Sequence, residues 1–128
     1  MRLVLIKASC MYAYIDRPVA ELELFEAGIL HATRKWVHAV SHFPALNEIT
    51  FDRATPFEQA MQVLHQESTG SLVINRPCHT LIGEFEAVLL GLWQQVRNGL
   101  SAQARATAAL IIPPARVDAL IHAMQRIL

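Results

Sequence analysis

Apolar residues recur with a helical period between Pro18 and His42. When the segment is wound at about 100° per residue, its large apolar side chains fall on one side. Acidic residues come early in it and basic residues late, which is the order that the helix dipole favours. The pattern predicts one long helix from just after Pro18 to about His42, with these residues facing the core: Leu22, Phe25, Ile29, Trp36, Val37 and Val40.

The sharpest local signal is the tetrapeptide Thr55-Pro56-Phe57-Glu58. It places a capping hydroxyl before the helix, a proline at the first helical position and a glutamate at the third. The segment Ser68-Thr69-Gly70 is typical of a helix end. We predict a second helix between these signals, whose buried stripe consists of Phe57, Ala60, Met61 and Leu64.

Three more helices are predicted in the C-terminal part of the chain. The first runs from about Leu81 to Asn98, and Gly99 follows it as a left-handed cap. Ser101 caps an alanine-rich helix that reaches about Ile111. Pro113-Pro114 then breaks the chain before a last helix with an inward face of Val117, Leu120, Ile121, Met124 and Leu128.

Short apolar runs at Leu3 to Ile6, Ile49 to Phe51 and Ser71 to Ile74 are typical of strands. Helical patterns nevertheless dominate, and no linker or repeat divides the chain. We therefore predict a mainly α fold, a single domain over residues 1–128 that forms a helical bundle of about five helices with a minor short β element. An α+β fold is the alternative.

The composition adds an expectation about partners. Of the 128 residues, 53% are apolar and 17% are charged, against about 25% charged residues in an ordinary soluble domain. Because so small a domain leaves part of its apolar surface uncovered, we expect self-association, as a two-fold dimer, or contact with another protein. The expected interface lies on the Leu81 to Asn98 helix, where Ala87, Leu90 and Gly91 fall outside the main apolar arc.

Charge and cysteine usage exclude several classes of partner. The formal net charge is zero, so no long-range field attracts nucleic acid or an acidic membrane surface. The longest apolar run, Ala87 to Trp93, is too short to span a bilayer. Cys10 and Cys78 follow no secretory pattern, and the N-terminal run interrupted by Lys7 does not resemble a signal peptide. We expect a cytoplasmic protein that binds neither nucleic acid nor membranes.

Two candidate sites depend on titratable side chains. His38 and His42 are four residues apart on a predicted helix, a spacing at which two imidazoles bind one metal ion, although a solvated helix face has the same appearance. Cys78 and His79 precede a predicted helix, where a thiolate is activated, and Arg76 beside them is placed to bind an anion. A packed cysteine and an arginine paired with a carboxylate are the structural alternatives.

These observations give three hypotheses for function. Nucleotide-binding, metalloprotease and serine-hydrolase motifs are all missing, and no cofactor is expected. The first hypothesis is therefore a non-enzymatic interaction or regulatory protein that self-associates through apolar helix surfaces. The second is a small-ligand or metal sensor that uses the histidines or the Cys78-His79 corner. The third is a thiol-dependent enzyme centred on Cys78.

Overall fold

The structure is a computed structural model that describes residues 14–43, 54–67 and 73–127. These residues contain five α-helices: α1 (Leu24–His42), α2 (Pro56–Glu67), α3 (Glu84–Arg97), α4 (Ser101–Ala109) and α5 (Pro114–Ile127). In this part of the chain there is no β-strand, and the one β-type pairing is an isolated bridge between Pro18 and Leu81. The predicted mainly α bundle of about five helices is confirmed.

Helix α3 lies at the centre of the described bundle. It contacts α1, α4 and α5, while α2 packs along α5. Every residue of α3 from Glu86 to Trp93 is buried, although the sequence predicts one main apolar arc on this helix with Ala87, Leu90 and Gly91 outside it. In the main hydrophobic core, residues of α2, α4 and α5 pack around Leu92 and Trp93. A smaller cluster on the α1 side contains Leu30, Ile82 and Leu90.

The helix signals at Thr55 and Gly99 are confirmed, whereas the predicted cap at Ser101 is wrong: Ser101 is the first residue of α4, Leu100 precedes it as the N-cap residue, and no side chain among the described residues caps this helix. At the start of α2 the Thr55 N–H donates to Glu58 Oε1 at 3.1 Å, and the Glu58 N–H donates to Thr55 Oγ1 at 3.2 Å, which is the reciprocal capping box. After α3, Gly99 adopts φ of +72°, and the Leu100 N–H donates to the Gln95 carbonyl oxygen at 2.9 Å. The left-handed glycine ends α3 as the sequence predicts.

The predicted inner faces are also found. In α2, Ala60, Met61 and Leu64 are fully buried, and Phe57 is half-buried against the core. In α1, Phe25, Ile29, Trp36 and Val37 pack against the main core, and Val40 is buried. Leu22, predicted on the same face, lies before the helix and packs with Leu30 in the smaller cluster. Helix α5 starts at Pro114 and buries Val117, Leu120, Ile121 and Met124.

The first long helix begins at Leu24 and not directly after Pro18. Backbone hydrogen bonds hold the chain before it against residues 80–82: the Val19 N–H donates to the Thr80 carbonyl at 2.8 Å, and the Ile82 N–H donates to the Arg17 carbonyl at 3.0 Å. Val19–Glu21 therefore forms only a short 3-10 helix. The helix starts once the chain is free of this pairing.

The strand predicted at Ser71 to Ile74 is not found at Val73 and Ile74. The chain that follows them turns toward α3, where the Asn75 N–H donates to the Glu86 carboxylate at 3.1 Å. Residues 71 and 72, the strands predicted at 3–6 and 49–51, Cys10 and Leu128 lie outside the described residues. Among the helices described, none has the length and apolar character needed to cross a bilayer.

Candidate functional site

The predicted interface residues lie in the interior of the chain. Leu90 and Ala87 are each 1% exposed, and Gly91 is buried. Leu90 packs with Leu30 and Ile82, and residues from 14 to 22 cover the same cluster. The prediction of an interface at Ala87, Leu90 and Gly91 is therefore wrong: the side of α3 outside the main arc is covered by α1 and by the segment before it, not by a second chain.

The strongest electrostatic feature is a buried ion pair that joins α1 to α3. The Arg34 side chain is 2% exposed and that of Glu86 is 0% exposed. Arg34 donates twice to the carboxylate, from Nε to Oε2 at 2.7 Å and from a terminal nitrogen to Oε1 at 2.9 Å. This two-pronged geometry is the strongest form of an arginine–carboxylate contact.

The rest of the guanidinium and the carboxylate is also hydrogen-bonded. Arg34 donates to the carbonyl oxygens of His79 and Leu81 at 2.7 and 2.9 Å. Glu86 accepts further hydrogen bonds from the N–H of Gly83 and from the backbone and side chain of Asn75. Burial alone raises the pKa of Glu86, but the hydrogen bonds and charge of Arg34, with those from Gly83 and Asn75, outweigh it and lower the pKa below its ordinary value.

This network is structural, and its partners are not adjacent in sequence. It ties α1, the first turn of α3 and the loop from Asn75 to Gly83 into one unit. In the sequence, Arg34 and Lys35 are adjacent basic residues, and this pattern does not indicate that Arg34 is buried. The available signal was Glu86, which stands three residues after Gly83 at a helix start, a position typical of capping glutamates.

The residues of the predicted thiol corner line an open recess. Arg76, Cys78 and His79 line it together with Asn75 and Thr80. Cys78 is a free and exposed thiol, so the alternative of a packed cysteine does not apply. Within residues 73–127 and the other described segments, Arg76 forms no ion pair. The structure therefore brings the three predicted residues together on one turn.

Three histidines of α1 are exposed to solvent: His31 and the two predicted metal ligands, His38 and His42. The rings of His38 and His42 lie 4.4 Å apart between centroids, and His42 Nδ1 lies 2.9 Å from the carbonyl oxygen of His38. Across the described part of the chain, no group of three or more histidine, cysteine or acidic side chains is arranged to hold a metal ion. The metal site at His38 and His42 therefore stays a prediction, and these two imidazoles are its proposed ligands.

Two adjoining recesses, which the sequence did not predict, lie where residues 14–26 meet α3. Tyr14 and Gln94 line both recesses, and the Tyr14 hydroxyl donates to Gln94 Oε1 at 3.2 Å between them. One recess has mostly apolar walls, formed with Gly91, Gln95, Asn98, Leu100 and Gln103. The other is polar and is completed by Arg17, Glu21, Leu22, Glu23 and Glu26.

Glu26 is the unusual residue of the polar recess. It is 3% exposed, and its Oε2 atom is buried without a hydrogen-bond partner in the part of the chain that the structure describes. In the sequence it is one of the acidic residues that come early in the first predicted helix. Nothing in the linear pattern indicated that it is buried, because the residues that line the recess with it come from the preceding turn and from α3.

Comparisons of this chain with models of protein families, with curated proteins and with solved structures give no match.

Proposed function

We propose that the protein is a non-enzymatic interaction or regulatory protein that self-associates as a two-fold dimer through an apolar surface. Large apolar side chains that remain on the surface support this proposal. They lie at Leu24, Phe43, Val73 and Leu110, each more than half exposed. A contiguous apolar patch is typical of contact with another protein, so the proposal depends on a place where an exposed apolar side chain adjoins others.

The observation that carries the proposal is a shallow groove at Val73. Val73 is 62% exposed and lines the groove with Glu84, Phe85 and Val88. Phe85 is half-buried and Val88 is buried, and both side chains pack with the main hydrophobic core. Unlike the predicted surface at Leu90, this groove is open to a second chain.

A second copy of the protein is the occupant that we propose. The formal net charge is zero, so two copies approach without long-range repulsion. A two-fold contact places the same patch of both copies face to face, so each Val73 meets the apolar groove of the other copy. Glu84 stays at the edge of the groove, where its carboxylate keeps contact with water.

Light scattering over a concentration series tests the proposal. We expect the wild type to dimerise and Val73→Asp to remain monomeric, because burying one such side chain contributes roughly 1.5–3 kcal/mol per subunit. Leu110→Asp is the matched control: Leu110 is 61% exposed but follows α4, outside the groove. A wild type that is monomeric at every concentration overturns the proposal, as does equal association of the two variants.

A small-ligand sensor is the second candidate function. It is supported by the recess that Arg76 shares with Cys78 and His79, because an unpaired guanidinium in a turn attracts anions. Inorganic phosphate is expected to raise the melting temperature of the wild type and not that of Arg76→Gln. An equal response of both proteins argues against an anion site at this recess.

A metal sensor is the other form of this second candidate function, and its proposed ligands are His38 and His42. We expect zinc to bind the wild type and to bind His38→Ala more weakly, since one of two imidazole ligands is lost. Elemental analysis of protein purified without tag or chelator measures this. His31→Ala is the control because His31 is exposed on the same face of α1. Equal metal content in all three proteins contradicts the site.

A further inference from the structure

The carboxylate of Glu26 is the starting point, because a buried and unpartnered acidic oxygen is costly. Among the described residues its Oε2 atom has no hydrogen-bond partner, although the residue is only 3% exposed. Native proteins leave few buried polar atoms unsatisfied, and a bound ion or water is one of the explanations for such an atom. The other buried glutamate of the described chain, Glu86, shows full pairing.

The charge around Glu26 favours a cation. Glu21 and Glu23 line the same recess and are exposed, and Arg17 is the one basic residue in its wall. Arg17 lies 3.9 Å from Glu21, so part of its charge is already balanced there. The wall of the recess therefore carries an excess of negative charge in a chain whose formal net charge is zero.

The neighbouring recess determines what kind of cation fits. Its walls are mostly apolar, and it meets the acidic recess at Tyr14 and Gln94. The hydrogen bond between these two residues is 3.2 Å long, which is beyond the usual range of an O–H···O bond. Because an amide oxygen has two lone pairs, Gln94 Oε1 is also an acceptor for a ligand at this junction.

We propose that the two recesses form one binding site for a small organic cation, an alkylammonium whose charged group binds Glu26 and Gln94 while its apolar tail fills the recess at Gly91 and Leu100. An ammonium group supplies the hydrogen-bond donors that Glu26 lacks. A metal ion fits less well, because the acidic residues of the described chain form no group of three that is arranged to hold one.

Calorimetric titration of the intact protein with butylammonium chloride tests the proposal. Methylammonium, which lacks the tail, and 1-butanol, which lacks the charge, are the control ligands. We expect butylammonium to bind and both controls to bind at least about tenfold more weakly, since a charge-assisted hydrogen bond or a buried alkyl chain is worth about that factor. This comparison needs no variant, so it holds whether or not a substitution disturbs folding.

Two substitutions then locate the site. Glu26→Gln keeps the shape of the side chain and removes its charge, and it is expected to weaken butylammonium binding roughly 10- to 100-fold. Glu23→Gln removes an exposed charge from the same recess and is expected to change the affinity by less than about threefold. Circular dichroism verifies that both variants fold.

Four results overturn the proposal. They are the absence of butylammonium binding at millimolar concentration, equal binding of 1-butanol, equal affinity of the wild type and Glu26→Gln, and displacement of butylammonium by equimolar calcium or magnesium. Displacement indicates a metal site in place of an amine site. Because these measurements do not depend on dimerisation at Val73, their outcome is independent of the proposed self-association.

Discussion

Two glutamates occupy the same position in two helices and have opposite surroundings. Glu26 is the third residue of α1 and Glu86 is the third residue of α3, and both are buried. Glu86 accepts hydrogen bonds from Arg34, Asn75 and Gly83, whereas no partner for Glu26 Oε2 is found among residues 14–43, 54–67 and 73–127. A position near a helix start favours an acidic side chain, but tertiary neighbours decide whether the oxygens of that side chain are paired.

The largest effect is expected from removing the satisfied carboxylate. Glu86→Ala leaves the buried guanidinium of Arg34 without its counter-charge, and breaking such a pair lowers the free energy of unfolding by about 3–5 kcal/mol. Urea denaturation measures this. Glu84→Ala is the control, because Glu84 is exposed in the same first turn. Similar losses in both variants contradict the structural role of the pair.

Acid is expected to remove part of the same stabilisation. Since the pKa of Glu86 is lower in the folded protein than in the unfolded chain, its contribution is complete above the ordinary value of about 4.3 and is lost as pH falls through the folded value. Melting temperatures from neutral to acidic pH measure the effect. Glu86→Gln should show a shallower decline in this range, and an identical decline contradicts the assignment.

A smaller effect is expected at the glycine that touches both Asn75 and Glu86. A Cβ atom at Gly83 meets Asn75 Nδ2 at 3.0 Å and Glu86 Oε1 at 3.4 Å, so Gly83→Ala is expected to destabilise the protein by about 1–3 kcal/mol. Gly28→Ala is the matched control, because a Cβ there meets nothing within 4 Å, and it should stabilise α1 by about 0.5–1 kcal/mol. Denaturant unfolding of both variants measures whether the free energy of unfolding falls for Gly83→Ala and rises for Gly28→Ala.

The smallest effect is expected at the unsatisfied carboxylate. Without ligand, Glu26→Gln should change the free energy of unfolding by less than about 1 kcal/mol, in the stabilising direction, since an unpaired buried charge is unfavourable. Part of this gain is offset by the lost attraction to the N-terminus of α1. A loss of about 3 kcal/mol, comparable to that of a broken buried pair, would show that Glu26 has a structural partner after all.

The parts of the fold that were predicted correctly depend on contacts close in sequence. The capping box at Thr55, the glycine cap at Gly99 and the start of α5 at Pro114 each involve residues within a few positions of one another. Separation in sequence also explains what the structure shows for the predicted site residues. Arg76, Cys78 and His79 meet because they share one turn, whereas Leu90 was misjudged because what covers it begins some seventy positions earlier in the chain.

By itself, the sequence determined the approximate extent of the described helices and which face of α1, α2 and α5 points inward, because hydrogen bonds and side-chain periodicity within a helix are local. The tertiary structure alone decided that α1 begins only at Leu24, that α3 is covered on every side, that Arg34 pairs with Glu86, and that Glu26 Oε2 is buried without a hydrogen-bond partner among the described residues. Burial and charge pairing depend on which distant segments pack together, and the pattern of apolar and polar residues along the chain does not specify that packing.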